Sequence, residues 1–340
     1  MEGVCLDSHH LRRAYRRKLD RGDELKKERI RGGNIAMKRR NGQGGWLTQR
    51  HPKALCPITG MALLLAILCA SFGWAAEVKE KPPIEGISDN SFLVEEAYNQ
   101  EPGVVQHIFT AQYGTQRDQR PKSHGWGFSF TQEWPIFSEE HQFSYTIPSF
   151  AMRDGDRQAG VGDILLNYRY QALEEGDDLP AFAPRFSLIL PTGNRDQGLG
   201  NGVVGYQWNL PFSKKMGSRF AMHFNAGLTY LPRVRAQLDT GLSPRRSLVA
   251  YNLGASGIFA VSSRAHLMLE WVGNFEQDIN DRGRKQRDFS SVLSPGVRVA
   301  AVNSEDMQVV VGAAAPIGLT RPAPDFGAFL YLSIEHKFLK

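Results

Sequence analysis

Cysteine is missing from everything after residue 69; the three in the chain are Cys5, Cys56 and Cys69. A body without thiols has no disulfides, no thiolate-bound zinc and no cysteine nucleophile. A long apolar run is missing too. The compact stretch from Ala62 to Ala70 falls well short of the roughly 20 residues that a membrane-crossing helix needs. The nine histidines are scattered, with no H-E-x-x-H or comparable ligand spacing, so neither a metal centre nor a cofactor is expected. Charge surplus disappears once the chain is divided. Residues 1–60 hold 15 Lys and Arg against 6 Asp and Glu, leaving 26 basic and 29 acidic residues for 61–340. The overall +6 belongs to the leader, and the body offers no basic surface for nucleic acid.

The leader has the order of a secretory signal: a basic region, an apolar core and small residues at Gly73 and Ala75 before the exit. Cleavage is expected after Ala75. Residues 1–36 are unusual ahead of such a signal, so Met37 and Met61 stand beside Met1 as candidate starts; a basic partner-binding helix is the alternative. Three segments follow. Residues 1–75 are a basic leader and signal peptide removed on export, 76–102 a periplasmic lead-in or plug, and 103–340 the folded body.

That body alternates. Trp126, Phe128, Phe130 and Trp134 share one face, while Gly127, Ser129, Thr131 and Glu133 share the other. Phe186, Leu188 and Leu190 oppose Arg185 and Ser187; Tyr206, Trp208 and Leu210 oppose Gln207 and Asn209. Period-two patterning of this kind marks strands with two different faces. With an opening strand at 104–113, about 12 such segments follow one another to Phe338. They run about 9–12 residues, the length of a tilted membrane-spanning strand, and carry aromatics near the ends of their apolar faces.

Connections alternate between short ("SEEH", "SKKMGS", "SSR", "NSEDM") and long (114–124, 152–160, 191–202, 232–246, 276–288, 315–325), with 171–183 longer than its place among the short ones predicts. Lipid offers no partner to an open sheet edge, so the strands must close. The expected fold is all-β, a transmembrane antiparallel β-barrel of about 12 strands, preceded by a short helical or extended segment. Asp89 or Ser91 as cap, with Glu95 or Glu96 in the first turn, suggests an amphipathic helix there, either plugging the lumen or lying at the rim. The apolar phase of the last segment ends at Phe338, resembling the terminal aromatic read by barrel-assembly machinery, although Leu339 and Lys340 follow it.

Three stretches, "LVEEAYNQEPGVVQH" (93–107), "GVGDILLNYRYQ" (160–171) and "LPTGNRDQGLGNG" (190–202), resemble the outer-membrane transporter family of the meta-pathway of phenol degradation. The resemblance spans most of the body. It implies a 12-stranded-type porin-like barrel in the outer membrane of a Gram-negative bacterium and passage of small aromatic or hydrophobic compounds.

Ten residues on the polar phase are candidates for lining the lumen: Glu133, Asp163, Arg169, Arg185, Arg219, His223, His266, Glu270, Arg298 and Glu335. On the lipid side an arginine would cost about 2–4 kcal/mol near the midplane, so an aqueous interior is their natural place. They read either as a selective field within a pore or as a network that fills a narrow barrel. Gly193, Gly198, Gly200 and Gly202 crowd one loop. Leu199 and Gly200 stand where a phosphate-binding loop needs Lys and Ser or Thr, and a strand follows instead of a helix, so tight reversals at a gating loop are expected. The expected activity is passive uptake or efflux of small solutes, with lipids as surroundings and no catalytic residues. The alternatives are a non-transporting structural or adhesive barrel and a lipid-acting enzyme using His223 with Ser187 or Ser294.

Overall fold

A single antiparallel sheet dominates the computed structural model, which describes residues 91–116, 123–154, 156–236, 243–280 and 282–338. The leader, the signal peptide and 76–90 lie outside the described residues. The strands are β1 (Val104–Gln116), β2 (Ser123–Ile136), β3 (Ser138–Asp154), β4 (Asp156–Val161), β5 (Ile164–Tyr170), β6 (Ala181–Phe182), β7 (Arg185–Leu190), β8 (Gly205–Met216) and β9 (Phe220–Arg235). They continue as β10 (Arg245–Ser262), β11 (Ala265–Ile279), β12 (Lys285–Asn303), β13 (Met307–Ala314), β14 (Ile317–Gly318) and β15 (Phe326–Lys337). Three staves are interrupted: β4 with β5, β6 with β7, and β13 with β14 each form one line of the wall, giving twelve staves. β1 pairs with β15 from Val104↔Lys337 to Thr115↔Phe326, and the sheet closes.

Alternation is the reason for the two surfaces. On β7, Arg185, Ser187 and Ile189 are buried while Phe186 points out; on β8, Gln207 and Asn209 are buried while Trp208 and Leu210 are exposed. The outer face is built from rings set directly opposite one another. Tyr113 faces Trp126, Phe186 faces Trp208 and Phe275 faces Phe289, with centroids 5.2, 5.4 and 4.4 Å apart. Such cross-strand aromatic pairs stabilise a sheet by about 0.2–1 kcal/mol each.

Two expectations change. Several strands are longer than anticipated: β3 runs to Asp154 and β4 starts at Asp156, within the span 152–160 that the sequence suggests is loop, and Ala151 is paired to Ala159. And residues 91–100 form no helix. Their backbone N–H groups are taken by side chains of the wall, as Leu93 N and Val94 N are by Glu270 Oε1, so no helical ladder is available to them. Phe338 lies one residue past β15, half exposed, its N–H donated to the Gly103 carbonyl at 2.9 Å.

Candidate functional site

The inner wall converges on residues 91–100, which lie inside the barrel. Leu93 N and Val94 N donate to Glu270 Oε1 at 2.9 and 3.2 Å, Glu95 N to Asn225 Oδ1 at 2.7 Å, Ala97 N to Ser213 Oγ at 2.7 Å and Gln100 N to Gln142 Oε1 at 2.7 Å. Five backbone donors of one short segment are thus spent on β3, β8, β9 and β11.

Glu95 is the centre of this arrangement. Its Oε2 accepts from Arg185 Nε at 2.8 Å and Asn209 Nδ2 at 2.6 Å, and its Oε1 from Arg169 at 3.3 Å. Arg169 also donates to the carbonyls of Glu96 and Tyr98, and Arg185 to Ser187. Burial alone would raise the Glu95 carboxyl, but the charges of Arg185 and Arg169, with the hydrogen bonds from Asn209 and Arg185, hold it below the ordinary carboxylate value.

Apolar contacts secure the other end. Phe92 packs on Phe329 and Tyr331, with ring centroids 5.4 and 5.1 Å away. The wall is notched to admit it: a Cβ on Gly312 would stand 2.3 Å from the Phe92 ring. Any side chain at 312 and Phe92 therefore exclude each other.

Of the ten residues expected on the lumen wall, Arg169, Arg185 and Glu270 bond the inner segment directly. His223 reaches it through Ser213, with Nδ1 2.7 Å from the Oγ that also accepts from Ala97. His266 and Arg298 pair with each other, and Glu133 accepts from Gln142 Nε2 at 2.8 Å. Glu335 borders a cavity at the tight-turn end. Arg219 is not on the wall: it sits in the exposed turn ahead of β9, because the strand begins at Phe220. Neither Ser187 nor Ser294 bonds His223, whose hydroxyl partner is Ser213. The neutral partners Asn209, Ser213 and Asn225 were overlooked among the candidates, although each falls on the polar phase.

Asp163 serves the glycine loop. It lies in the break between β4 and β5, fully buried, and accepts from Gly193 N at 3.0 Å, Asn201 N at 2.7 Å and Asn201 Nδ2 at 3.0 Å. The loop that resembles a phosphate cradle thus wraps an anion supplied by the chain itself. Gly198 and Gly202 are required by positive φ, 76° and 66°. Gly200 is required by contact, since a Cβ there would stand 2.4 Å from Asp163 Oδ1. Leu199 then inserts against Phe150 and Met152, on the buried phase of β3.

A closed barrel with apolar rings outside and a hydrogen-bonded interior can now be set beside known proteins. The COG4313 outer membrane channel from Pseudomonas putida F1 superposes with a TM-score of 0.56 at 15% identity, over 71% of this chain and 97% of that one. The chain has the fold of an outer-membrane β-barrel. More distant likenesses are the NanC porin (TM-score 0.42, 8% identity, 68% of this chain and 100% of that one) and the translocator domain of the autotransporter NalP from Neisseria meningitidis (0.40, 10%, 83% and 96%). No protein-family model matches the chain, and no curated protein matches it.

Proposed function

We propose that this protein is an outer-membrane channel for passive passage of small solutes, with residues 91–100 as a plug that sets its resting conductance. The observation that carries this reading is the Glu95 junction. A carboxylate from the inner segment meets Arg169 and Arg185 of the wall inside a closed barrel, where only a polar interior can hold all three. The exposed apolar staves suit a lipid surround, and the secretory leader and Phe338 suit export and delivery to barrel-assembly machinery. The loop tied down by Asp163 is the second constriction, folded over the long-loop end.

The solute class is small and aromatic or hydrophobic, a choice supported by the resemblance to the meta-pathway transporter family. Liposome flux assays with uncharged aromatic and sugar solutes test the reading. Flux through the full-length protein, raised by loosening the plug, is expected; a folded barrel passing no solute, plugged or unplugged, overturns it. In that event the adhesive alternative, acting through the long connections 232–246 and 276–288, is favoured.

A further inference from the structure

The outward face of the wall changes character toward the long-loop end. Across β10, β11 and β12, Tyr251, Phe275 and Phe289 stand in direct register and are exposed, forming one row of rings. Aromatic rows of this kind mark the level at which hydrocarbon gives way to lipid headgroups. Beyond the row the same phase turns cationic. Arg287 and Lys285, both exposed, lie two and four residues past Phe289 on β12, about 7 and 14 Å along the strand. On the adjoining hairpin, Arg235 of β9 and Arg245 of β10 are exposed and directly opposite each other. Val234, next to Arg235, is fully buried inside, so the arginine pair faces out.

The acidic residues described on these hairpins take the other face. Glu276 is paired with Asp288 and Asp278 with Gln286, and both Glu276 and Asp278 are buried within the barrel. Gln286 Nε2 donates to Asp288 Oδ1 at 3.2 Å on that same side. The outward cations bond neutral groups instead: Arg235 Nη2 donates to Ser243 Oγ at 3.3 Å and Lys285 Nζ to Gln277 Oε1 at 3.4 Å. Like charges directly across two strands destabilise the pairing. Arg235 against Arg245 is therefore a cost to the hairpin until an anion lies between them. Guanidinium groups grip phosphate through parallel N–H bonds. Their place just beyond a row of rings selects a phosphate carried by a lipid.

We infer that this face of β9 to β12 is a docking surface for the phosphorylated headgroup of an outer-leaflet glycolipid. Arg235, Arg245 and Arg287 hold its phosphates, Lys285 stands beside them, and the acyl chains lie along Tyr251, Phe275 and Phe289. The surface rests on the outer-membrane reading for the leaflet it meets, but lipid binding rather than flux reads it. Free inorganic phosphate has the same charge chemistry without acyl chains, and the experiment separates the two.

Diphosphoryl lipid A is the probe, with fully dephosphorylated lipid A as its neutral counterpart. Native mass spectrometry of the folded protein in detergent is expected to show saturable retention of the first and none of the second. Excess inorganic phosphate should leave the retained lipid in place. Combined Arg235→Gln, Arg245→Gln and Arg287→Gln substitutions are expected to weaken retention at least tenfold. Arg219→Gln with Arg264→Gln, which removes two exposed cations from the tight turns, should leave it unchanged. If the triple variant fails to fold, Arg235→Gln and Arg245→Gln taken singly each break the opposed pair and should still lower retention. Equal retention of the dephosphorylated lipid, displacement by phosphate, unchanged retention in the folded arginine variants, or an equal loss in the tight-turn variant overturns the proposal. Solute flux without lipid retention defeats only this surface, and lipid retention without flux defeats only the channel.

Discussion

Glu95 Oε2 accepts a hydrogen bond from Arg185 Nε at 2.8 Å, joining the segment inside the barrel to a wall residue 90 positions later. Arg169 holds the other carboxylate oxygen, so two guanidinium groups of neighbouring staves face one acid. Both arginines are buried, and each forms an ion pair with Glu95, at 3.3 and 2.8 Å. Removing one member of a buried charge group leaves the rest unpaired, which costs about 3–5 kcal/mol.

Glu95→Gln keeps the shape and the amide-accepting oxygen but removes the charge. The barrel, closed by strand pairing that Glu95 does not touch, is expected to fold and show normal heat-modifiable mobility. The plug should dock more weakly, so single-channel recordings should show more frequent or larger openings than wild type. Unchanged conductance in a folded variant would mean that Glu95 does not hold the lumen shut.

Acidity should act on the same lock. The Glu95 carboxyl is held below its ordinary value, so its contribution to docking is fully present above about pH 4.3 and is lost as pH falls through the lowered value. Conductance is therefore expected to be flat from pH 5 to 8 and to rise only in stronger acid. Glu95→Gln should lack this rise. A wild-type transition near neutral pH would assign the switch to a different group.

Asp163→Asn tests the glycine loop. The amide keeps one oxygen but places an NH₂ where the carboxylate accepts from either Gly193 or Asn201, turning an attraction into a clash of donors. A loss of about 1–3 kcal/mol is expected, confined to the loop. Limited proteolysis of intact cells should then cut between 191 and 204 while the barrel stays whole. Gly200→Ala should do the same, because its Cβ would meet Asp163 Oδ1 at 2.4 Å. Protease resistance in both variants would show that Asp163 does not restrain the loop.

Much of this was legible in the chain. Period two separated Arg185 and Ser187 from Phe186 and Leu188, because each stave turns apolar side chains outward and polar groups into the barrel. Arg219 was misplaced because the polar phase ran one residue past the start of β9 into a turn. Asp163 was correctly set opposite the apolar phase, but a break in the stave aims it at a loop, which alternation cannot foresee. The inner segment was harder. Ser91 with Glu95 and Glu96 has the pattern of a capped helix, and local pattern is all a short segment shows. Its actual partners, Ser213 and Glu270, are 116 and 177 residues from the groups they bind. Contacts that distant depend on closure of the barrel, and closure is a property of all twelve staves together.

The lipid-facing assignment makes a prediction that a soluble β-barrel would not. Leu330 lies mid-way along β15, half exposed, between Ala111 and Ala313 on the adjoining strands, while its neighbours Phe329 and Tyr331 are buried inside. On a water-facing surface Leu330→Arg would be nearly neutral. In lipid it must bury a guanidinium in hydrocarbon, at a cost of about 2–4 kcal/mol near the midplane. Reversible unfolding in phospholipid vesicles is expected to show that loss, and substitution of the turn residue Arg264 by Leu to show little change. Equal stability of Leu330→Arg and wild type in vesicles would place Leu330 outside the hydrocarbon and undo the orientation of every stave, since a one-residue shift of phase reverses all faces at once.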